Sequence, residues 1–485
     1  MQDFLDVDPR FGTREDLREF VATAHAHNIH VVLDIILNHS GPVFDYDADR
    51  YPTENGVDPR WDGNHYSVQG WKDAAGNGTL PFPEPVADHD AAIWPQELQQ
   101  AETFTRKGRI NSWDYFPEYL EGDFFDLKDI HLGTGPIDHY RASAALHTLA
   151  RVYQYWIAFA DIDGFRVDTV KHMDPGAVRY FSSCIHEFAQ SIGKENFILI
   201  GEITGGRGNA FTLREATGLD AALGIDDIPD KLEYLAKGYR NPADYFNLFR
   251  NSFEIGKDSH TWFRDKVVTL FDDHDQVRKG ENKARFAANG GLAYALNVMA
   301  LNALTLGIPC FYYGSEQGLD GAGNNDRYIR ETLFGGEFGA FRSSGRHCFD
   351  ETLPLYRGLA DLLALRRNTI ALRRGRQYLR EISGNGLDFG EPQLIGGRML
   401  SVVAWSRLFL NQEWLCAINT DVNNSRGAWV TVDAHLCPPG TQLQCLYSAD
   451  ASHVGTPLTV QRVAGRSAVW LEVTGAGCVV YGPAG

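Results

Sequence analysis

Residues 161–172 of this 485-residue chain read DIDGFRVDTVKH, an apolar stretch that runs into charged side chains. A segment with apolar residues at helical spacing precedes it at about 140–160. A second such segment, at about 176–193, leads into the apolar run FILIGE at 197–202. A short run that is apolar on both faces is typical of a parallel strand covered by helices. The alternation therefore predicts βα units.

The same pattern extends in both directions along the chain. A predicted helix at 14–30, with Thr13 as its cap, leads to VVLDII at 31–36. Beyond residue 202 the pattern predicts three more strands, at 219–223, 266–271 and 308–313, and a helix at 287–306. Several strands end in charged residues, as expected at the active-site end of an α/β barrel. We therefore predict an α/β fold of the (β/α)8 TIM-barrel type.

Two regions depart from this alternation. Residues 40–131 are irregular, rich in Gly, Pro, Asp and Trp, and too long for a plain loop. From about residue 377, short alternating segments such as LSVVAWSR and AVWLEV replace the helical ones, which is typical of an antiparallel β-sandwich. The predicted domains are a barrel at 1–39 and 132–376, an inserted subdomain at 40–131, and a C-terminal β-sandwich at 377–485.

The charge of the chain limits the class of partner. Forty-five basic and 63 acidic residues give a formal net charge of −18. An acidic surface repels nucleic-acid phosphates and anionic lipids, so we expect neither nucleic acid nor a membrane as partner. A neutral polymer or a cation is compatible with this charge.

Four short segments place polar side chains at the carboxyl ends of predicted strands. They are Asp34-Ile-Ile-Leu-Asn38-His39, Gly164-Phe-Arg166-Val-Asp168-Thr-Val-Lys171-His172, Gly201-Glu202 and Phe271-Asp-Asp273-His274-Asp275. In order and spacing these segments resemble the four signature regions of the α-amylase family of glycoside hydrolases. The resemblance covers residue 2 to about residue 375, and it implies an α-glucan as substrate.

The expected chemistry explains the residue types. Retaining glycoside hydrolysis needs two carboxyl groups about 5–5.5 Å apart, one to attack the anomeric carbon and one to protonate the leaving oxygen. The resemblance assigns the nucleophile to Asp168 and the general acid/base to Glu202. Arg166 lies two residues before Asp168 and therefore points to the same side of its strand. Its positive charge would keep Asp168 ionised.

The resemblance implies roles for further residues. Asp275 corresponds to a third catalytic carboxylate, which binds hydroxyls of the sugar in the reacting subsite. Asp34 corresponds to an aspartate that orients Arg166. The residues expected to bind substrate are His39, Arg166, Lys171, His172, His274, Asp326 and Arg330, the last two from the segment GNNDRYIRE at 323–331.

A calcium site is also implied by the resemblance. Calcium takes six to eight oxygen ligands, often including backbone carbonyls. The segment Gly122-Asp-Phe-Phe-Asp126-Leu127 resembles a fifth family motif. In calcium-binding members the equivalents of Asn38, this aspartate and the carbonyl at the His172 position hold the insert to the barrel. We therefore expect Ca²⁺ bound by Asn38, Asp126 and His172. The alternative is that Asp126 caps a turn and Asn38 bonds only to backbone.

The start of the chain bears on whether it is active as written. A barrel of this type has eight strands, and we count six, with no counterpart of the first two βα units before residue 31. A fragment, a separately supplied segment and a natural variant would each explain this. The expected function is hydrolysis of α-1,4-glucosidic bonds in starch or maltodextrins through a covalent glycosyl-enzyme. The alternatives are an α-glucanotransferase on the same scaffold and a non-catalytic glucan-binding fragment.

Overall fold

A computed structural model describes residues 2–50, 58–78, 80–225, 227–250, 265–276, 279–336 and 341–484. The chain forms two compact units, Met1–Gly224 and Ile225–Gly485. Within the described ranges, no helix combines the length and the apolar character needed to cross a bilayer.

The first unit alternates helices with short strands. Its helices are α1 (Arg14–Ala26), α2 (Glu118–Glu121), α3 (Ala144–Ala160), α4 (Pro175–Ser191) and α5 (Arg207–Thr217). Its strands are β1 (Val32–Ile35), β2 (His39–Ser40), β3 (Phe44–Tyr46), β4 (Val68–Trp71), β5 (Lys128–Asp129), β6 (Gly133–Thr134), β7 (Arg141–Ala142), β8 (Gly164–Val167), β9 (Ile198–Gly205) and β10 (Ala221–Ile225). Three of the helices begin where side-chain oxygens accept backbone N–H groups, at Thr13, Ser143 and Asp174.

A four-stranded sheet with the order β1-β8-β9-β10 is the centre of this unit. Strand β8 pairs in parallel with β1 on one side and with β9 on the other. The register places Asp34 beside Arg166, and Val167 beside Gly201. Strands were predicted at all four of these positions, and the structure confirms them. The parallel register brings the ends of three predicted motifs to one edge of the sheet.

The segment between β2 and β5 folds around aromatic side chains. Strands β3 and β4 are antiparallel, and β2 pairs antiparallel with β5, with His39 opposite Asp129. Phe44, Trp71 and Phe104 are buried, and the ring of Phe104 contacts the rings of the other two. The predicted boundaries of the inserted subdomain, 40 and 131, stay a prediction.

The second unit combines helices with two antiparallel sheets. Its helices are α6 (Asp227–Ala236), α7 (Pro242–Phe246), α8 (Ala295–Leu304), α9 (Asp326–Ile329), α10 (Pro354–Asn368) and α11 (Ile370–Arg374). Its strands are β11 (Val268–Thr269), β12 (Ile308–Pro309), β13 (Arg376–Leu379), β14 (Ile382–Ser383), β15 (Val402–Phe409), β16 (Gln412–Asn419), β17 (Arg426–Thr431), β18 (Gln442–Ser448), β19 (Pro457–Thr459), β20 (Gln461–Val463), β21 (Arg466–Val473) and β22 (Cys478–Pro483).

Strands β11 and β12 form a parallel pair at two of the predicted strand positions, although both are shorter than predicted. From β13 onward a six-stranded sheet, β13-β15-β16-β22-β18-β19, and a four-stranded sheet, β14-β17-β21-β20, share one apolar core. Ala404 and Leu415 come from the first sheet, and Val430 and Leu471 from the second. Inward side chains alternate with outward ones, which is the pattern of a β-sandwich.

Candidate active site

Arg166 lies at the centre of a group of three carboxylates in the first unit. Its Nη1 donates to Asp34 Oδ1 at 2.8 Å and to Asp168 Oδ1 at 2.5 Å. Its Nη2 lies 3.0 Å from Glu202 Oε1. Burial opposes the charge of Arg166, but the carboxylates of Glu202, Asp34 and Asp168 outweigh it and raise the pKa of the guanidinium above its usual value. One cation therefore binds both predicted reacting carboxyl groups.

Neighbouring parallel strands hold Asp168 and Glu202 in place. Asp168 follows β8 directly, and its N–H donates to the carbonyl of Ile35 at the end of β1. Glu202 lies within β9, and its Oε2 accepts the N–H of Thr169 at 2.9 Å. Both side chains are mostly buried, with 17% of Asp168 and 11% of Glu202 exposed. The structure thus brings these two carboxyl groups to the same guanidinium group.

His39 and His172 are buried beside this group. The ring of His39 stacks on Phe124, and His172 meets Phe124 edge to face. His172 Nδ1 lies 2.9 Å from the carbonyl oxygen of Tyr119. Burial lowers the pKa of both imidazoles to about 4. Both rings are therefore neutral near pH 7 and are suited to hydrogen bonds with hydroxyl groups.

Lys171 forms an ion pair with a residue that was not predicted from the sequence. Its Nζ lies 2.6 Å from Oδ1 of Asp114, a largely exposed carboxylate. Asp114 follows Trp113 in the irregular segment, and no spacing rule connects it with Lys171. Only the fold of the segment brings the two charges together.

In the second unit, the predicted site residues form two ion pairs. Arg330 pairs with Asp275, and its Nε donates to the carbonyl of His274 at 2.8 Å. His274 Nε2 lies 3.0 Å from Asp275 Oδ2. Asp326 begins α9 and pairs with Lys283, a partner that the sequence reading did not single out. Asp326 and Arg330 therefore contact different partners.

Of the expected metal ligands, Asn38 is buried and Asp126 is exposed. Asp126 is exposed on the turn between the bridged residues Phe124 and Leu127. Asp129, three residues later, is buried, and its Oδ1 accepts from Asn38 Nδ2 at 3.3 Å. The pairing of β2 with β5 causes this, because it sets Asp129 opposite His39 and beside Asn38. Asp129 therefore replaces Asp126 as the acidic neighbour of Asn38.

The surroundings of Asp129 suit a cation. Its Oδ2 is buried and makes no hydrogen bond within the part of the chain that the structure describes. Burial, and then the charge of Asp123, raise the pKa of Asp129 well above its usual value. A cavity of about 670 Å³ opens beside this position, with Asn38, Leu120 and His172 among its lining residues. The sequence signal for Asp129 was the three-residue spacing of Asp123, Asp126 and Asp129, which does not tell buried from exposed members.

These features define a class of protein. It is an α/β protein with paired carboxyl groups at the carboxyl ends of parallel strands, which are the groups that retaining glycoside hydrolases use. The family model described as "Alpha amylase, catalytic domain" matches residues 1–334. The chain belongs to the α-amylase family.

Two curated relatives illustrate the sequence similarity. The chain is 27% identical over 508 residues to the α-amylase of Streptomyces lividans, a match that covers 98% of this chain and 51% of that protein. It is 25% identical over 338 residues to the cyclomaltodextrin glucanotransferase of Klebsiella oxytoca, covering 65% of this chain and 45% of that protein. The chain thus spans about half the length of the curated relatives it matches.

Solved structures show the same fold. An α-amylase from Geobacillus thermoleovorans, solved in complex with acarbose, has a TM-score of 0.66 at 18% identity, over 100% of this chain and 84% of that one. A cyclomaltodextrin glucanotransferase with a three-domain ABC distribution has a TM-score of 0.68 at 22% identity, over 99% of this chain and 80% of that one. These structural neighbours are (β/α)8 barrels with a C-terminal β domain.

Proposed function

We propose that this chain is a retaining glycoside hydrolase that cleaves α-1,4-glucosidic bonds of starch or maltodextrins. The observation that carries the proposal is the guanidinium of Arg166, which contacts both Asp168 and Glu202. Two carboxyl groups held by one cation on adjacent strands are suited to double displacement at an anomeric carbon. The substrate is a neutral glucan, which an acidic protein does not repel.

In the first step the Asp168 carboxylate attacks the anomeric carbon as the bond to the leaving sugar breaks. Glu202 gives its proton to the leaving oxygen, and a glycosyl ester forms on Asp168.

In the second step Glu202 takes a proton from water, which attacks the ester and releases Asp168. The N–H of Thr169 and the guanidinium of Arg166 hold the Glu202 side chain in position for this step.

The other sequence-predicted residues would bind and orient the sugars. In the first unit we assign sugar contacts to His39, Lys171 and His172, the last two on the leaving-group side. In the second unit we assign sugar contacts to His274 and Asp275. Asp326 and Arg330 would bind sugars on the non-reducing side, where their ion-pair partners set their orientation. Asp34 acts on Arg166 and is a positioning residue.

We infer that Ca²⁺ is held by Asn38, Asp129 and the backbone carbonyl of His172. The Oδ2 of Asp129 is buried and makes no hydrogen bond to a residue that the structure describes, which supports this donor set, because burying a charged oxygen without a partner is costly. The ion would neutralise Asp129 and join the segment after β2 to the strand ends, and it would take no part in bond cleavage.

The test is reducing-sugar release from soluble starch and maltoheptaose by the wild type, Asp168→Asn and Asp138→Asn. We expect Asp168→Asn to reduce kcat by about 10⁴-fold or more, because no nucleophile remains. Asp138 is an exposed carboxylate paired with Arg179, so Asp138→Asn should keep wild-type activity. Activity retained by Asp168→Asn would show that the nucleophile is assigned wrongly. A folded wild type that binds glucan without cleaving it would favour the glucan-binding alternative.

A glucanotransferase is the second candidate, favoured by the similarity to several cyclomaltodextrin glucanotransferases. The same glycosyl ester would then pass to a sugar hydroxyl instead of water. Chromatography of the products from starch separates the two, because transfer gives cyclic or lengthened products and hydrolysis gives short linear ones. Asp168→Asn should abolish either activity.

A further inference from the structure

Three potential metal ligands meet away from the catalytic carboxylates. One ring nitrogen from each of His25 and His30 and one carboxylate oxygen of Asp163 all lie within 4.8 Å of one another. His25 is in the last turn of α1, His30 comes just before β1, and Asp163 comes just before β8. Five residues of extended chain separate Asp163 from Asp168, a distance of about 16 Å. This group therefore lies at the amino ends of the parallel strands, opposite the proposed active site.

The geometry points to a binding site for a divalent transition-metal ion, with zinc as the best match, formed by His25, His30 and Asp163. Two imidazoles and one carboxylate are ligand types that zinc prefers. A water molecule would complete four-coordination. This inference is independent of the proposed glycosidase function.

The surroundings of the ligands resemble those of known metal sites. His25 directs Nε2 to Asp163 Oδ2 at 2.7 Å, and its other nitrogen, Nδ1, lies 3.3 Å from Asp161 Oδ2. A metal-bound histidine almost always directs its second nitrogen to such an oxygen. The N–H of Val31 donates to Asp163 Oδ2 at 2.8 Å and fixes that carboxylate. Two ligands are therefore already oriented.

The local charge also suits a cation. Asp161 and Asp163 carry two negative charges, and Lys194 Nζ contacts both, at 2.6 and 3.2 Å. With neutral histidines the cluster keeps one net negative charge. Lys194 Nζ also donates to the carbonyl of Asp161 at 2.9 Å, so Asp161 alone is enough to hold Lys194 in place when the metal binds Asp163.

Only His30 has to move appreciably. Its ring is 84% exposed, with Nδ1 at 3.6 Å from Asp163 Oδ1. Zinc bonds of about 2.0–2.2 Å place tetrahedral ligand atoms about 3.4 Å apart. The contact of 2.7 Å between His25 Nε2 and Asp163 Oδ2 therefore lengthens by about 0.7 Å, and separations of up to 4.8 Å within the cluster shorten by at most about 1.4 Å. With zinc on Nε2, the single proton of neutral His25 is carried by Nδ1, which faces Asp161 Oδ2.

The ordinary alternative is a cluster of ion pairs without metal, and one experiment separates the two. Tag-free protein saturated with Ca²⁺ is titrated with Zn²⁺, and the thermal unfolding midpoint is followed for the wild type, His30→Asn and His27→Asn. His27 is exposed on the same turn and outside the cluster, which makes it the matched control. Folding of His30→Asn is not at risk, because its ring is exposed.

We expect zinc to raise the midpoint of the wild type. His30→Asn should weaken zinc affinity by about tenfold or more, and His27→Asn by less than about twofold. Co²⁺ in place of Zn²⁺ should give visible absorption that His30→Asn removes. No zinc-dependent shift in the wild type, or equal shifts in the wild type and His30→Asn, would overturn the proposal.

Discussion

At the scale of single residues, two carboxylates beside the proposed active site are buried away from water. Neighbouring groups must offset the free-energy cost of burying their negative charges. Asp123 accepts from Tyr46 Oη and from the N–H of Asp129, and Lys128 Nζ lies 3.7 Å away. Burial nevertheless raises the pKa of Asp123 to about 6, despite these contacts. The cost of burying Asp129 is offset less, because its Oδ2 lacks a hydrogen bond to any residue that the structure describes. A bound cation would remove this cost.

The first prediction concerns Asp129 and Asp126. Asp129→Asn should weaken Ca²⁺ affinity by about tenfold or more, because an anionic ligand is lost. Asp126→Asn is the matched control and should leave the affinity unchanged, because Asp126 is exposed on a turn. The measurement is the thermal unfolding midpoint during Ca²⁺ titration of chelator-treated protein. Loss of the calcium effect in Asp126→Asn alone would restore Asp126 as the ligand.

At the scale of elements, the start of α1 depends on a reciprocal cap. Thr13 Oγ1 accepts the N–H of Asp16 at 3.2 Å, and Asp16 Oδ2 accepts the N–H of Thr13 at 2.7 Å. This capping box satisfies two backbone donors that the helix leaves unpaired. Among the residues of α1, Val21 alone is fully buried, so packing contributes little to this helix and the cap matters correspondingly more.

We predict that Thr13→Ala lowers the free energy of unfolding by about 1 kcal/mol, since the cap is lost. Thr13→Ser retains the hydroxyl and should change it by only a few tenths of a kcal/mol. Urea unfolding of both variants measures the difference. A loss for Thr13→Ser as large as that for Thr13→Ala would indicate that the methyl group matters rather than the cap.

The turn between β16 and β17 is organised by Asp421. This buried carboxylate accepts the backbone N–H groups of Asn423 and Asn424, at 2.9 and 3.2 Å, and both Nε and Nη2 of Arg426. Burial acts to raise the pKa of Asp421, but these hydrogen bonds outweigh it and lower the pKa to about 2. The lowered pKa means that ionised Asp421 stabilises the folded chain above its ordinary pKa of 3.8.

This stabilisation should be lost as the pH falls from about 4 towards about 2, as Asp421 takes up a proton. We therefore expect Asp421→Asn to be less stable than the wild type near pH 6, and the difference to shrink over that window. Urea unfolding at several pH values measures it. Glu472→Gln, at an exposed position on β21, is the control and should leave the pH dependence unchanged. If the free energies of unfolding of Asp421→Asn and the wild type differed by the same amount at every pH in this window, the stabilisation would not come from ionised Asp421.

At the scale of the whole molecule, the net charge of −18 bears on substrate selection. A neutral glucan has no long-range interaction with this charge. We predict that kcat/KM for soluble starch changes by less than about twofold between about 0.02 and 0.5 M NaCl. An anionic carboxymethylated starch serves as the comparison, and its kcat/KM should rise with salt as the repulsion is screened. A strong salt dependence with neutral starch would indicate that charge steers this substrate.

The alternation of apolar runs and helical segments was enough to predict the four strands of the central sheet. Apolar periodicity reports local burial, which is why these elements can be read along the chain. The positions of Asp168, Glu202 and Arg166 at one edge of the sheet could be predicted for a related reason, whereas their roles are those implied by the resemblance to the α-amylase family. Each lies at or near the carboxyl end of a predicted strand, and parallel strands present those ends at one edge.

The tertiary structure alone decided the residues that depend on contacts between distant segments. It placed Asp129 rather than Asp126 beside Asn38, because the pairing of β2 with β5 sets that register. It paired Lys171 with Asp114, and it brought His25 and His30 to Asp163 across more than 130 residues. Periodicity along a chain determines which face of an element is buried. It carries no information about which distant side chains meet, since that depends on how separate elements pack together.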